Sequence, residues 1–178
     1  MNQEKNKYNS IDLFSGVDGL TSGMHKAGFK TKVAVELDNY AVKAYRLNHK
    51  RTKVIHDDIR KIKIDEIREL LNGDQLHLLA GCPPCQGFSS VRRLNKKRSV
   101  RDERNNLVME YLRFVKELKP LTIMMENVPG LKNYTLFKQM VKELKEIGYN
   151  PKYEVVNVKD YGVPQSRERT YIVGILNY

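Results

Sequence analysis

Two cysteines, Cys82 and Cys85, stand three apart in the segment AGCPPCQGFSS, residues 80–90. Such a pair has three chemistries open to it: half of a zinc site, a redox pair, or a cysteine nucleophile. Zinc needs two further ligands, and His25, His49, His56 and His77 are scattered without ligand spacing. A redox pair normally opens a helix, whereas Gly87 and the polar, basic run beyond it point to an extended loop. As a nucleophile, Cys85 would be held by Pro83 and Pro84 at a strand's C-terminal end, where open α/β sheets bind ligands. Between Arg92 and Arg104 the chain then carries Arg92, Arg93, Lys96, Lys97, Arg98, Arg101 and Arg104 against Asp102 and Glu103. Beside a nucleophile that run reads as a phosphate clamp, and the positive surroundings favour a thiolate.

A second constellation begins at IDLFSGVDG, residues 11–19, an apolar strand running into a turn with Gly16 and Gly19 and then into a helix. Small residues let a backbone approach a ligand, and a helix N-terminus presents N–H groups to it. Glu36 closes the next apolar stretch, where a carboxylate can accept both hydroxyls of a ribose. Asp57 and Asp58 close the third, where an acid can meet the exocyclic amine of adenine. Further along, MMENVPG places Glu126 at the end of a fifth apolar stretch, with Leu121 to Met125 expected to shelter it and raise its pKa. Asn127 is placed to brace the neighbouring loop by hydrogen bonds. In YGVPQSRER, residues 161–169, Arg167 and Arg169 alternate, so an extended chain points both guanidinia at one target.

The elements that must position these groups follow from periodicity. Strands are expected at Ser10 to Phe14, Lys32 to Glu36, Thr52 to His56, Leu76 to Ala80, Leu121 to Glu126, Tyr153 to Val158 and Thr170 to Ile175. Helices are expected at Gly19 to Ala27, Asn39 to Asn48, Ile64 to Leu71, Asn105 to Leu118 and Leu136 to Ile147. Strands alternating with helices make an α/β fold, a mostly parallel sheet with helices on both faces. The last two strands lack a helix between them and are expected to pair as an antiparallel hairpin.

Composition agrees with one globular domain. The 178 residues are 40% hydrophobic and 30% charged, with net charge +11, which excludes wholesale disorder and points to a polyanionic partner. No apolar run is long enough to cross a bilayer, and residues 1–10 are polar, so a cytoplasmic location is expected.

Taken together, the segments DLFSGVDG from Asp12, Glu36, DDI from Asp57, PPCQGFSS from Pro83, DERNNL from Asp102, ENVPG from Glu126 and QSRER from Gln165 resemble the cytosine-C5 DNA methyltransferases that use S-adenosylmethionine. The matches keep the family's order and spacing over nearly the whole chain. The resemblance implies a Rossmann-like sheet of seven strands. It implies Cys85 as nucleophile toward a flipped-out cytosine, Glu126 at N3 and the exocyclic amine, Arg169 at O2 and Arg167 in support. It places Phe14, Gly16, Gly19, Glu36, Leu37, Asp58, Ile59, Pro84 and Leu107 around S-adenosylmethionine, with no metal. It places Gln86, Ser89, Arg92, Arg93, Lys96, Lys97, Arg98 and Arg104 on duplex DNA. Cys82 matches no family role.

Two departures qualify the resemblance. Asp18 stands where the family usually has glycine, which is expected to set a negative charge beside the methionine moiety. Family members also continue beyond the closing hairpin with a target-recognition region and a final segment, whereas this sequence ends at Tyr178. The expected organisation is therefore a polar segment 1–10 and a catalytic core 11–178, with the target-recognition domain absent and an apolar face left uncovered. The first reading is the catalytic part of a split restriction-modification-type enzyme, with a second polypeptide supplying recognition and the isolated chain inactive or weakly active. A binding module without turnover and a tRNA cytosine methyltransferase are the alternatives; the GFSS continuation after Gln86 favours DNA.

Overall fold

The computed structural model describes residues 8–84 and 107–177. Seven strands form one sheet: β1 (Tyr8–Leu13), β2 (Phe29–Glu36), β3 (Lys53–His56), β4 (Leu76–Gly81), β5 (Thr122–Asn127), β6 (Tyr149–Asn157) and β7 (Glu168–Leu176). Their order across the sheet is β3-β2-β1-β4-β5-β7-β6. The first five pair in parallel, and β7 runs antiparallel to both β5 and β6. The expected α/β class and the reversed closing pair are both present.

The central strands are buried on both faces, with Ser10, Asp12 and Thr31 as buried polar residues among the apolar ones. Ile11, Leu13, Val33, Val35, Leu79, Ile123 and Met125 face one large core with α3 (Ile64–Leu71), α4 (Leu107–Leu118) and α5 (Thr135–Glu146). On the opposite face α1 (Gly19–Lys26) packs Met24 on Leu78 and Ala80, and α2 (Asn39–Asn48) packs Val42 and Tyr45 on Ala34 and Val54. Tyr111 of α4 is fully buried under the sheet, its hydroxyl 3.1 and 3.0 Å from the carbonyl oxygens of Leu79 and Met124. Gly81 is required where these layers meet, since a Cβ there would lie 3.1 Å from both the Leu13 carbonyl oxygen and the Tyr111 ring.

Several strand boundaries differ from expectation, β7 among them, which starts at Glu168 rather than Thr170. β1 starts at Tyr8 and β2 at Phe29, earlier than their apolar runs suggest, because backbone pairing extends into polar residues. β6 starts at Tyr149 rather than Tyr153, and it includes Pro151. The proline is tolerated because β6 is the edge strand, where a missing N–H leaves no ladder partner unsatisfied. Short 3-10 helices at Pro129–Asn133 and Val158–Tyr161 follow β5 and β6 without a periodic signal.

The outer part of the sheet is bare on the α1/α2 side. Val173 pairs in register with Met124 yet is 48% exposed, and Ile175 is 60% exposed. A concavity of about 890 Å³ runs along this edge, lined by Pro151, Tyr153, Val156, Tyr161, Val163 and Val173 among others. Among the described residues no helix is long and apolar enough to cross a membrane.

Candidate active site

The C-terminal ends of β1, β2, β3 and β4 open onto one cavity of about 620 Å³. Phe14, Glu36, Leu37, Asp58, Ile59, Pro84 and Leu107 all line it, as do Asp38, Asp57, Arg60 and Cys82. Gly16 and Gly19 do not; they shape the backbone of the β1–α1 turn instead. Gly16 has φ 56°, a conformation that favours glycine, and its N–H donates to Glu36 Oε2 at 2.8 Å. Ser15 Oγ, in the same turn, is buried and has no hydrogen-bond partner among the described residues.

Glu36 is more committed than its sequence position suggests. Its Oε1 accepts from the N–H groups of Leu37 and Asp38, each at 2.8 Å, while Oε2 takes Gly16. A carboxylate offers about four lone-pair directions, so this arrangement leaves one for a ribose hydroxyl rather than the expected two. Asp58 is likewise engaged: Arg60 Nε lies 3.0 Å from each of its oxygens, and these hydrogen bonds hold the carboxyl down to about 2. Asp58 therefore meets any ligand as a fixed anion.

Asp18 corrects an expectation. Its carboxylate does not line the cavity; it turns to the end of α2, where Oδ2 accepts from Asn48 Nδ2 at 2.8 Å.

The second half of the site gathers at the end of β5. Glu126 Oε1 lies 2.9 Å from Arg169 Nε and 3.7 Å from Arg167 Nη2, so the alternating arginines converge on one carboxylate. Leu121 to Met125 shelter Glu126 incompletely, since its side chain is 19% exposed and faces these two cations. Asn127 is buried, donates to the Pro83 carbonyl oxygen at 2.9 Å and accepts from Val128 N–H at 2.8 Å. It braces the stem of the segment that leads to residue 85.

Sequence reasoning assigned no role to Cys82, yet it joins the two halves. It lines the cavity, and the β4–β5 register sets it next to Glu126. Burial pushes the thiol well above its ordinary range, and the Glu126 charge adds to this, so Cys82 stays a neutral thiol. The missed signal was register: Gly81 pairs with Met125, which sets Cys82 beside Glu126. Cys85 and the residues assigned to DNA, Gln86, Ser89, Arg92, Arg93, Lys96, Lys97, Arg98 and Arg104, lie outside the described residues.

Asp12, at the end of β1, is fully buried; Oδ2 accepts from Thr21 Oγ at 2.6 Å while Oδ1 has no partner among the described residues. Burial raises its pKa from 3.8 to about 7. A raised carboxyl binds its proton more tightly folded than unfolded, so its effect on stability is absent below about pH 4 and becomes increasingly unfavourable as pH rises toward 7. Asp12→Asn is expected to gain stability over the parent progressively across that window, with the two curves parallel above it. Urea denaturation at a series of pH values checks this.

A parallel sheet in this order, closed by a reversed strand and opening a cavity at the ends of β1 to β4, defines the Rossmann-like methyltransferase fold. The chain belongs to the C-5 cytosine-specific DNA methylase family, whose model matches residues 8–178. It is 42% identical over 177 residues to the Type II methyltransferase M.AquIA of Picosynechococcus sp., covering 92% of this chain and 70% of that protein. It is 39% identical over 167 residues to the Type II methyltransferase M.FnuDI of Fusobacterium nucleatum, covering 92% of this chain but 46% of that protein. Among solved structures it is similar to a DNA modification methyltransferase encoded within an E. coli prophage, with TM-score 0.82 and 34% identity over 96% of this chain and 47% of the other. The S. pombe Dnmt2 methyltransferase shares the fold, with TM-score 0.76 at 22% identity over 97% of this chain and 50% of the other. The family implies S-adenosylmethionine as methyl donor.

Proposed function

We propose that this chain is the catalytic part of a DNA (cytosine-5-)-methyltransferase of the restriction-modification type. The observation that carries the reading is the junction at Cys82, where a cavity lined by seven motif-matched residues meets a glutamate paired with two arginines.

The cavity suits S-adenosylmethionine. Its volume is within the usual range for small-molecule sites. Glu36, Asp57 and Asp58 supply acceptors for hydroxyls and amines around it, and anions there attract a cationic ligand. The bound donor supplies an electrophilic methyl group; the remaining chemistry belongs to this chain and the base. Cys85 thiolate attacks C6 of a flipped cytosine, forming an S–C6 bond and shifting electron density to C5. Glu126 hydrogen-bonds N3 and the exocyclic amine, which stabilises the enamine. C5 takes the methyl carbon as the donor's S–CH3 bond breaks and S-adenosylhomocysteine leaves; loss of the C5 proton to water then re-forms the C5–C6 double bond and expels Cys85 as thiolate. Arg169, oriented by Glu126, holds the cytosine O2, and Arg167 supports both. Gln86, Ser89 and the basic residues from Arg92 to Arg104 contact DNA, where neutralising phosphates releases counterions.

Target recognition is assigned to a second polypeptide that seats a closing segment on the bare β6–β7 face. The apolar concavity there supports this. Duplex DNA is favoured over RNA because the matching family model is of C-5 cytosine-specific DNA methylases and the prophage structure at 34% identity is a DNA modification methyltransferase.

Calorimetric titration with S-adenosylhomocysteine tests the cofactor site. Saturable one-to-one binding is expected, weakened about tenfold or more by Glu36→Ala, the size of a lost charged hydrogen bond. A folded wild-type chain that takes up no ligand contradicts the assignment.

A further inference from the structure

The turn between β1 and α1 is held in shape from an unexpected place. Three of its residues have positive φ: Phe14 at 58°, Gly16 at 56° and Asp18 at 149°. Glycine serves only one of them. Phe14 and Asp18 occupy backbone regions that L residues rarely adopt, and such strain persists only where the surroundings over-determine it. Around Phe14 the surroundings are the sheet edge, with Ser15 N–H donating to the Val35 carbonyl oxygen at 3.1 Å and Gly16 N–H to Glu36 at 2.8 Å.

Asp18 is held by a different element. It directly precedes α1, where an aspartate ordinarily caps the helix with its side chain, yet it makes no such bond. Its Oδ2 instead accepts from Asn48 Nδ2 at 2.8 Å and lies 3.4 Å from His49 Nε2. Asn48 is the last residue of α2 and His49 its C-terminal cap. A helix C-terminus repels anions, so the Asn48 amide, not helix electrostatics, directs the carboxylate there. The His49 ring is fixed in turn, edge-on to His25 of α1 at 5.0 Å and against Tyr45 at 4.8 Å. None of Asp18, Asn48 and His49 lines the cavity.

We infer that Asp18, Asn48 and His49 form a clasp in which α2 stabilises the strained end of the cofactor turn, making Asn48 a positioning residue for cofactor binding. The inference rests on the reading of that turn as part of the cofactor site. Without the clasp Asp18 relaxes from its positive φ, the competent turn is populated less, and apparent affinity falls in proportion.

A double-mutant cycle on the whole chain, read as the Kd of S-adenosylhomocysteine by calorimetry, tests this. Asn48→Ala is expected to raise Kd about tenfold, the scale of one strained residue losing its compensation. Asn48→Asp, nearly isosteric but with like charges opposed, is expected to raise it further. Asp18→Gly should bind within about threefold of wild type, because glycine adopts the turn unaided, and Asn48→Ala should add nothing in the Asp18→Gly background. Equal effects of Asn48→Ala in the two backgrounds, or none in either, overturn the clasp while the cofactor reading stands. No binding by the folded wild-type chain overturns both.

Discussion

Glu126→Gln is expected to lower methyl transfer to DNA by roughly 10²- to 10⁴-fold, the range for loss of a positioned acid–base group, while leaving the Kd for S-adenosylhomocysteine unchanged. Glutamine keeps the volume of the side chain and one oxygen for Arg169, which sits 2.9 Å from Glu126 Oε1. It loses the negative charge that organises Arg169 and Arg167, and it cannot take up or share a proton at N3. Because Glu126 is not among the residues lining the cavity proposed for the cofactor, the loss should fall on turnover and not on donor binding. Single-turnover assays of the chain with the proposed recognition polypeptide, alongside calorimetry, separate the two. Equal weakening of both would mean that Glu126 serves the fold.

Cys85→Ser is expected to have a still larger effect, on the order of 10⁴- to 10⁶-fold, comparable to removing the nucleophile of other enzymes that form covalent intermediates. Serine has a similar shape, but its hydroxyl stays protonated near neutrality and attacks C6 poorly. The variant should bind DNA and cofactor normally. It should also fail to form the denaturant-stable adduct with DNA containing 5-fluorocytosine, a base whose C5 fluorine blocks the final elimination. Adduct formation by Cys85→Ser, mapped by peptide mass spectrometry to Cys82, would reassign the nucleophile. Burial holds the Cys82 thiol neutral, which argues against that outcome.

Much of the architecture was legible in the sequence because period and punctuation agree along the parallel half. Ile11, Leu13, Val33 and Val35 are buried in the core, as strands covered on both faces must be. The edge was less legible. Pro151 looks like a break and is an edge-strand residue, and the polar starts of β1 and β2 carry backbone pairing that no apolar pattern reports. The cavity residues were readable because motifs mark strand ends: Phe14, Glu36, Asp58, Ile59, Pro84 and Leu107 all reach it. What side chains do with one another was not readable. Glu36 bonds three backbone N–H groups, Arg60 holds Asp58, Cys82 reaches Glu126 across the β4–β5 register, and Asp18 turns to Asn48 rather than to the ligand. Each depends on contacts between segments distant in the chain or on a local rotamer, and neither is encoded in spacing.

The position of the transferred methyl group distinguishes cytosine C5 chemistry from amino-methylation and from tRNA methylation. The chain, alone and with the proposed recognition polypeptide, is incubated with tritiated S-adenosylmethionine and duplex DNA, and the bases are then separated by chromatography. The account predicts label in 5-methylcytosine, lost in Cys85→Ser. Label on an exocyclic amine of cytosine or adenine, or transfer to tRNA with none to DNA, would contradict it.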